Sequence, residues 1–215
     1  MHAPYFINLA NMDAEKRENS FGYITESAKW LDRLGGTELV VHTGSQMKMP
    51  REEALKNCAE GLKEAYRRLD DMGLSHIILC PETMGKLTQI GDLQEICDLC
   101  NVDERLIPCV DFAHLHALHC GVMNTEADFA AVLDTLEERL GPDRAKRIHA
   151  HFSTIEYTMK GEKCHRTFDD EGYGPRFEHL APLLRQRGYT PTIICECRGT
   201  QAKDACAMKR IYEMQ

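Results

Sequence analysis

The sequence predicts an α/β fold, a TIM-type (β/α) barrel of parallel strands, over a single domain of residues 1–215. Two observations predict it. Short apolar runs alternate with segments of helical periodicity, which is typical of βαβ units and a parallel sheet. A His or carboxylate side chain also ends each of five predicted strands. A closed barrel brings all its strand ends to one cleft, whereas an open sheet brings together only those beside its switch point, so this recurrence favours the barrel.

Five strands are predicted, each with a candidate metal ligand near its end. They are ELVVH ending at His42, HIILCPE ending at Glu82, LIPCVD ending at Asp111, RIHAHFS with His149 and His151, and TIICECR with Glu196. Because alternate residues of a strand face opposite sides, Cys195 and Cys197 are expected to point away from Glu196.

Five helices are predicted between these strands from apolar residues at helical spacing. The first ends at Gly35-Gly36, the second opens at Pro50, and the fourth begins near Asn124 or Thr125. The apolar positions that mark the five helices, in chain order, are Phe21, Ile24, Ala28, Leu31 and Leu34; Ala54, Cys58, Leu62, Ala65 and Leu69; Ile90, Leu93 and Ile96; Phe129, Val132, Leu133, Leu136 and Leu140; and Phe177, Leu180, Leu183 and Leu184.

The composition narrows the possible environments and partners. The formal net charge of -8 counts against a general nucleic-acid-binding surface, although bound divalent cations can reverse the sign inside a cleft. The N-terminal residues lack the basic start and apolar stretch of a signal peptide and there is no apolar run of about 18 residues, so we expect a cytoplasmic protein without membrane contact. The ten cysteines are expected to be reduced, and the Cys97-x-x-Cys100 pair is interpreted as part of a helix rather than a zinc knuckle or redox pair.

The strand-end residues have the chemistry of a metal site. A single such residue is more often only hydrogen-bonded, but several imidazoles and carboxylates buried together would be costly without a balancing cation. Imidazole with carboxylate suits zinc, and also manganese or iron. Asp111-x-x-His114 adds a second ligand type just after its strand, whereas His116 and His119 are expected to be ordinary helix or loop residues.

Six segments in the same order resemble endonuclease IV, a zinc-dependent endonuclease acting at abasic sites within the xylose isomerase-like barrels. These segments span nearly the whole chain: HAPYFINL, VVHTGS, CPETMGK, PCVDFAH, HAHFST and CECRGT. The family has H-P-G-S where this chain has HTGS and E-N-T-A-G where it has ETMGK. Its C-I-D-T-C-H matches PCVDFAH, and its H-L-N-D-S-K matches HAHFST.

The resemblance implies two zinc sites and a less certain third. One metal would be held by His2, His42 and Glu82, with Glu82 bridging to a second held by Asp111, His149 and Glu196. His149 is preferred because it aligns Ser153 with the motif's Ser, but His151 faces the same side of the strand and stays an alternative. The third metal would use His114 and His165.

The chain departs from the family pattern in three places. Lys163 stands where the third metal has an Asp, so this metal is absent, weakened or served by neighbouring Glu162. Thr83 and Phe152 replace the family's Asn and Asp, which affects the expected DNA chemistry more than metal binding. The family's first two strands have no counterpart before His2, so the resemblance implies a barrel incomplete at its N-terminus, either truncated or completed by a partner.

Three functions remain open from the sequence. The first is hydrolysis of a phosphodiester at an abasic site in DNA, with Glu82 and Glu196 as catalytic carboxylates and Ser45 and Lys86 as candidate phosphate contacts. The second is a sugar isomerase or epimerase of the same superfamily, acting on a small sugar with one metal and an acid–base carboxylate pair. The third is an inactive metal-binding remnant.

Overall fold

The computed structural model describes residues 1–215. Backbone contacts divide the chain into two compact units: the first comprises residues 1–82 and 88–109, and the second comprises residues 83–87 and 110–215. The single domain expected from the sequence stays a prediction.

The first unit is built on a short parallel sheet covered by long helices. Strands β1 (Glu38–Val41) and β2 (Ile78–Pro81) pair in parallel, with Leu39 opposite Leu79. Isolated parallel bridges join His2 to Val40 and Glu82 to Cys109, so the sheet continues on both sides of this pair. The elements are α1 (Ala14–Arg33), β1 (Glu38–Val41), α2 (Arg51–Asp71), β2 (Ile78–Pro81) and α3 (Leu93–Cys100). The strands predicted to lead into His42 and Glu82 are therefore present.

Local sequence signals explain where these helices begin and end. The Asp13 side chain accepts hydrogen bonds from the first backbone N–H groups of α1, and the chain leaves the helix at Gly35, where φ is +73°. Leu34, predicted to lie on the buried face, lies past the end of α1 and is 73% exposed. Helix α3 starts only after Asp92, which forms a capping box with Glu95, so Ile90 precedes the helix.

The second unit combines a parallel sheet with an antiparallel hairpin. The sheet has the order β3-β4-β7, and the hairpin consists of β5 and β6. The elements are β3 (Cys109–Asp111, which starts at the last residue of the first unit), α4 (Phe112–Leu118), α5 (Glu126–Leu140), α6 (Pro142–Ala145), β4 (His149–Phe152), β5 (Thr154–Thr158), β6 (Gly161–Arg166), a 3-10 turn (Phe177–His179), α7 (Ala181–Arg187), β7 (Thr192–Cys195) and α8 (Gln201–Glu213).

The second unit differs from the sequence expectation in its connections. The predicted fifth helix is divided into the 3-10 turn and α7, with Pro182 in the first turn of α7, where its missing N–H costs no hydrogen bond. The hairpin and helix α4 were not predicted. Phe152 packs in an aromatic core against Phe112 and Phe177, at centroid distances of 6.0 and 5.1 Å, on the side of β4 opposite to His151. No helix has the length and apolar character needed to cross a bilayer.

Candidate metal centre

The first ligand group comprises His2, His42 and Glu82 in the first unit. His2 pairs with the middle of β1, His42 follows the end of β1, and Glu82 follows β2, where its backbone N–H donates to the Val41 carbonyl. Parallel pairing therefore brings all three residues to one end of the sheet. Both Nε2 atoms converge on one oxygen, since His2 lies 3.0 Å and His42 lies 3.1 Å from Glu82 Oε2. Glu82 is fully buried.

The hydrogen bonds of these two imidazoles fix which nitrogen is available for a ligand. His2 Nδ1 lies 2.5 Å from the Ala3 carbonyl, and His42 Nδ1 lies 3.0 Å from the Tyr5 carbonyl. A carbonyl only accepts, so each Nδ1 must carry a hydrogen, and in the neutral tautomer with that hydrogen the Nε2 lone pair faces the Glu82 carboxylate. Lone pairs facing a carboxylate are unfavourable unless a cation lies between them. Backbone carbonyls commonly orient metal-binding histidines in this way.

The second ligand group lies in the second unit and is centred on Asp111, at the end of β3. Asp111 Oδ1 caps α4 by accepting the His114 backbone N–H at 2.8 Å. Its other oxygen, Oδ2, is buried without a hydrogen-bond partner. His151 Nδ1 lies 3.9 Å from that oxygen and 3.2 Å from Glu196 Oε1. One ligand atom from each of Asp111, His151 and Glu196 lies within 4.8 Å of the others.

Asp111 also belongs to a set with His114 and His165, whose ligand atoms again lie within 4.8 Å of one another. His114 Nδ1 donates to the Thr83 carbonyl at 2.8 Å, so its Nε2 is the nitrogen left for a ligand. Thr83 also holds Asp111, because its hydroxyl accepts the Asp111 backbone N–H at 2.8 Å. His165 Nδ1 lies 2.7 Å from the Ser153 hydroxyl, and its Nε2 lies 3.6 Å from Glu196.

These residues fit a metal of the zinc type. The donors of the sets described above are imidazole nitrogens and carboxylate oxygens, which suit zinc. Asp111 Oδ2 accepts no hydrogen bond and lies 3.5 Å from His114 Nδ1, and a buried carboxylate oxygen without a hydrogen bond is costly unless a cation binds it. His114 carries the outer hydrogen bond that orients a metal-binding imidazole, as His2 and His42 do.

Of the two histidines of β4, the structure places His151, and not the preferred His149, beside Asp111 and Glu196, and which of them binds a metal stays a prediction. His151 is the residue of β4 beside Asp111 and Glu196, whereas His149 lies farther back along the same face, with its ring 5.3 Å from that of His151. The two side chains share a face because they are two residues apart, and only the pairing of the strands decides which reaches the strand end.

His116 is buried in α4, where burial lowers its pKa, and Gly174 packs against its ring.

The remaining site predictions concern the two candidate phosphate contacts. Lys86 Nζ lies 3.0 Å from Glu162 Oε1, so its charge is already paired within the second unit. The Ser45 backbone N–H donates to the Asn8 side chain at 3.3 Å, and Ser45 bridges to Gln89. Neither contact has been tested with a phosphate, so both roles stay predictions, as does the bridging role of Glu82.

Glu162, which the sequence offered only as a neighbour of Lys163, lies in direct contact with His114. Its Oε2 lies 2.7 Å from His114 Nε2. Burial alone would raise the pKa of Glu162, but its interactions with His114 and Lys86 outweigh burial and lower the pKa to about 2.

A hairpin signal was present in the sequence, since TIEYT alternates in polarity before Met159-Lys160-Gly161, where a glycine allows a tight turn.

Comparison with known proteins identifies the family. The model of the family described as "Xylose isomerase-like TIM barrel" matches residues 1–212. The chain belongs to this family, and the barrel fold class expected from the strand ends is confirmed.

Relatives and solved structures place the chain near two kinds of enzyme. It is 34% identical to the uncharacterized protein MJ0133 of Methanocaldococcus jannaschii over 99% of this chain and 76% of that protein. It is 31% identical to a protein named "Probable endonuclease 4" from Methanosphaera stadtmanae, over 75% of this chain and 57% of that protein. The chain thus covers little more than half of that relative. The resemblance to the endonuclease IV family is confirmed.

A solved D-tagatose 3-epimerase-like protein shares the fold, with a TM-score of 0.72 at 18% identity over 99% of this chain and 76% of its own. The likeness in fold therefore extends to a protein whose name refers to a sugar epimerase. These comparisons support the conclusion that the chain is an enzyme of this superfamily.

Proposed function

We propose that this chain is a zinc-dependent phosphodiesterase that cleaves DNA at abasic sites. One observation carries the proposal: both units contribute imidazole and carboxylate ligands, His2, His42 and Glu82 from the first and Asp111, His151 and Glu196 from the second. A one-metal isomerase needs only one such group. Two groups fit phosphodiester hydrolysis, in which several cations stabilise the attacking and the leaving oxygen.

The residues of the chain would share the work as follows. Bound zinc would lower the pKa of a water molecule and would provide positive charge for the phosphate. Glu82 and Glu196 would each be the carboxylate at the centre of one ligand group. Glu82 has two imidazoles at one oxygen, and Glu196 faces both His151 and His165. Because the chain carries a net charge of -8, DNA binding would depend on the bound cations. A cytoplasmic location is part of the same proposal.

A second candidate is a metal-dependent sugar epimerase. The observation that favours it is Lys163, which occupies the position of a metal-binding carboxylate in the endonuclease IV pattern and pairs instead with Glu156. Manganese or iron would serve such an enzyme as well as zinc, because one metal and a pair of carboxylates suffice for proton transfer at a carbon next to a carbonyl.

A cleavage assay separates the two. The protein is stripped with chelator, reloaded with zinc, and incubated with a duplex oligonucleotide containing one abasic site, beside an undamaged duplex. We expect cleavage at the abasic site that chelator abolishes and zinc restores. The variant His42→Ala should lose it, while His76→Ala should retain it, because His76 is exposed and contacts Asp32 on α1. Epimerisation of a ketose without any cleavage would overturn the proposal in favour of the second candidate, and full metal loading without either activity would support a remnant.

A further inference from the structure

The carboxylate expected at position 163 is replaced by a lysine whose side chain faces away from the ligands. Lys163 pairs with Glu156 across the hairpin, and its side chain is 59% exposed. Glu156 also pairs with Arg166, and the pKa of its carboxyl is lowered to about 2 mainly by hydrogen bonds from Lys163 and Arg166. Lys163 is therefore the exposed member of an ionic cluster with the half-buried Glu156 and Arg166.

A β-bulge explains why the neighbouring residue faces inward. Glu156 is opposite Cys164, but Tyr157 is opposite Glu162, so the register shifts by one residue and Lys163 is the extra residue of β6. In a regular strand, residues 162 and 165 would face opposite sides. The bulge changes this alternation. Both side chains now reach His114: Glu162 Oε2 lies 2.7 Å from His114 Nε2, and the rings of His114 and His165 are 5.1 Å apart.

Two glycines make room for this arrangement. A Cβ at Gly85 would lie 2.6 Å from Glu162 Oε2 and 3.0 Å from the His114 ring. A Cβ at Gly161, where φ is +97°, would lie 2.2 Å from the Gly85 carbonyl oxygen. Their close approach lets the Glu162 backbone N–H donate to that carbonyl at 2.9 Å. The carboxylate is thus held against His114 by backbone contacts as well as by its own charge.

We propose that Glu162 is a metal ligand of this chain and supplies the carboxylate that position 163 lacks, so that it joins His114 in holding a cation of the zinc type beside the set of Asp111, His114 and His165. His114 Nδ1 is committed to the Thr83 carbonyl, and its Nε2 faces the Glu162 carboxylate. Replacing a proton between these two atoms with a divalent cation satisfies both. Lys86, 3.0 Å from the other oxygen of Glu162, holds that carboxylate in place. This inference rests on the proposed metal centre but concerns binding rather than cleavage.

The test is metal binding by variants that differ at two adjacent positions. Zinc per chain is counted by native mass spectrometry, zinc affinity is measured by competition with a chromophoric chelator, and the visible spectrum of the cobalt-loaded protein reports its ligands. Glu162→Gln should lose one equivalent of zinc or bind it about 10–100-fold more weakly, and should alter the cobalt spectrum. Glu162→Asp should recover part of the affinity. Lys163→Ala should match the unchanged protein, because the lysine side chain is exposed and pairs with Glu156.

Opposite results would overturn the assignment. These are unchanged zinc content, affinity and cobalt spectrum in Glu162→Gln, or an additional equivalent of zinc gained by Lys163→Asp. Thermal unfolding of the zinc-free variants controls for folding. The outcome is independent of DNA cleavage: a protein that binds zinc through Glu162 but leaves abasic DNA intact would contradict the proposed function and leave this inference standing.

Discussion

The two ligand groups differ in what holds their side chains. In the first unit, the backbone carbonyls of Ala3 and Tyr5 orient His2 and His42, and both imidazoles reach one oxygen of Glu82. In the second unit, His114 and His165 depend on Thr83 and Ser153, and His165 lies on a hairpin. The first group therefore needs little more than three adjacent strand positions. The second needs a supporting network and an irregular hairpin, so we expect it to be the more easily disrupted.

The largest effect is expected from Asp111→Asn. Asn keeps the cap of α4, since it accepts the same backbone N–H as well as Asp does, but it removes the charge of the buried, unpartnered oxygen. Zinc affinity of the second group should fall by at least about 100-fold, because even outer partners of metal ligands contribute about 10–100-fold. Equilibrium dialysis measures this loss. The exposed Asp143→Asn is the control, and equal zinc affinity in both variants would remove Asp111 from the site.

A substitution in the hairpin should affect zinc binding by the second ligand group and not by the first. Gly161→Ala puts a Cβ against the Gly85 carbonyl at a positive φ, which we expect to cost about 2–4 kcal/mol of unfolding free energy. Zinc binding by the second group should weaken while that of the first is retained. Gly22→Ala is the control, because its Cβ would meet open space on α1. Chemical denaturation with zinc counting gives both quantities, and equal loss from the two groups would break the distinction drawn between them.

A smaller effect is expected from Ser153→Ala. The variant removes the hydroxyl that lies 2.7 Å from His165 Nδ1 and should weaken zinc binding by about 10-fold, the lower end of the range for outer partners. Because the alanine leaves the strand and its packing in place, the unfolding free energy of the zinc-free protein should change little. The chelator competition assay measures the affinity, and a value unchanged from the parent protein would show that Ser153 does not orient His165.

The smallest effect concerns an ion pair of the first unit that includes no residue of its ligand group. Burial would raise the pKa of Glu95, but hydrogen bonds from Arg51 and from the backbone of Gly91 and Asp92 outweigh it and lower the pKa below its ordinary value. A carboxyl with a lowered pKa stabilises the folded state above its unfolded-state pKa and loses that contribution as the pH falls through the folded-state value.

The parent protein should therefore exceed Glu95→Gln in unfolding free energy by about 0.5–1 kcal/mol at pH 7, with a smaller difference at pH 3. Urea denaturation of both zinc-free proteins at the two pH values measures this. A difference that grows in acid would show that the pair does not stabilise the first unit in the way described.

The same contrast shows what the sequence could predict. His42, Glu82 and Asp111 close short apolar strands, so their position at strand ends follows from local pattern alone. The choice between His149 and His151 depends on how far β4 extends against its neighbours, which no local pattern fixes. Leu34 was placed on a buried face because periodicity continues past the residue where α1 ends.

Glu162 was harder still to assign. Strand alternation places residue 162 on the opposite face from His165, and only the bulge at Lys163 reverses this. The bulge depends on the pairing of β5 with β6 and on the contact between Gly85 and Gly161, residues far apart in sequence. Thr83 likewise acts through its backbone carbonyl, which no residue type in the sequence could have indicated.

The most direct test of the account is the number of zinc ions that each chain binds when one group is disabled. Native mass spectrometry of the zinc-loaded parent protein should show at least two zinc ions, and His42→Ala should lose one and keep the rest, because it leaves the ligand atoms of Asp111, His151 and Glu196 in place. A parent protein with a single zinc ion, lost completely in His42→Ala, would contradict the existence of two ligand groups and with it the proposed phosphodiesterase.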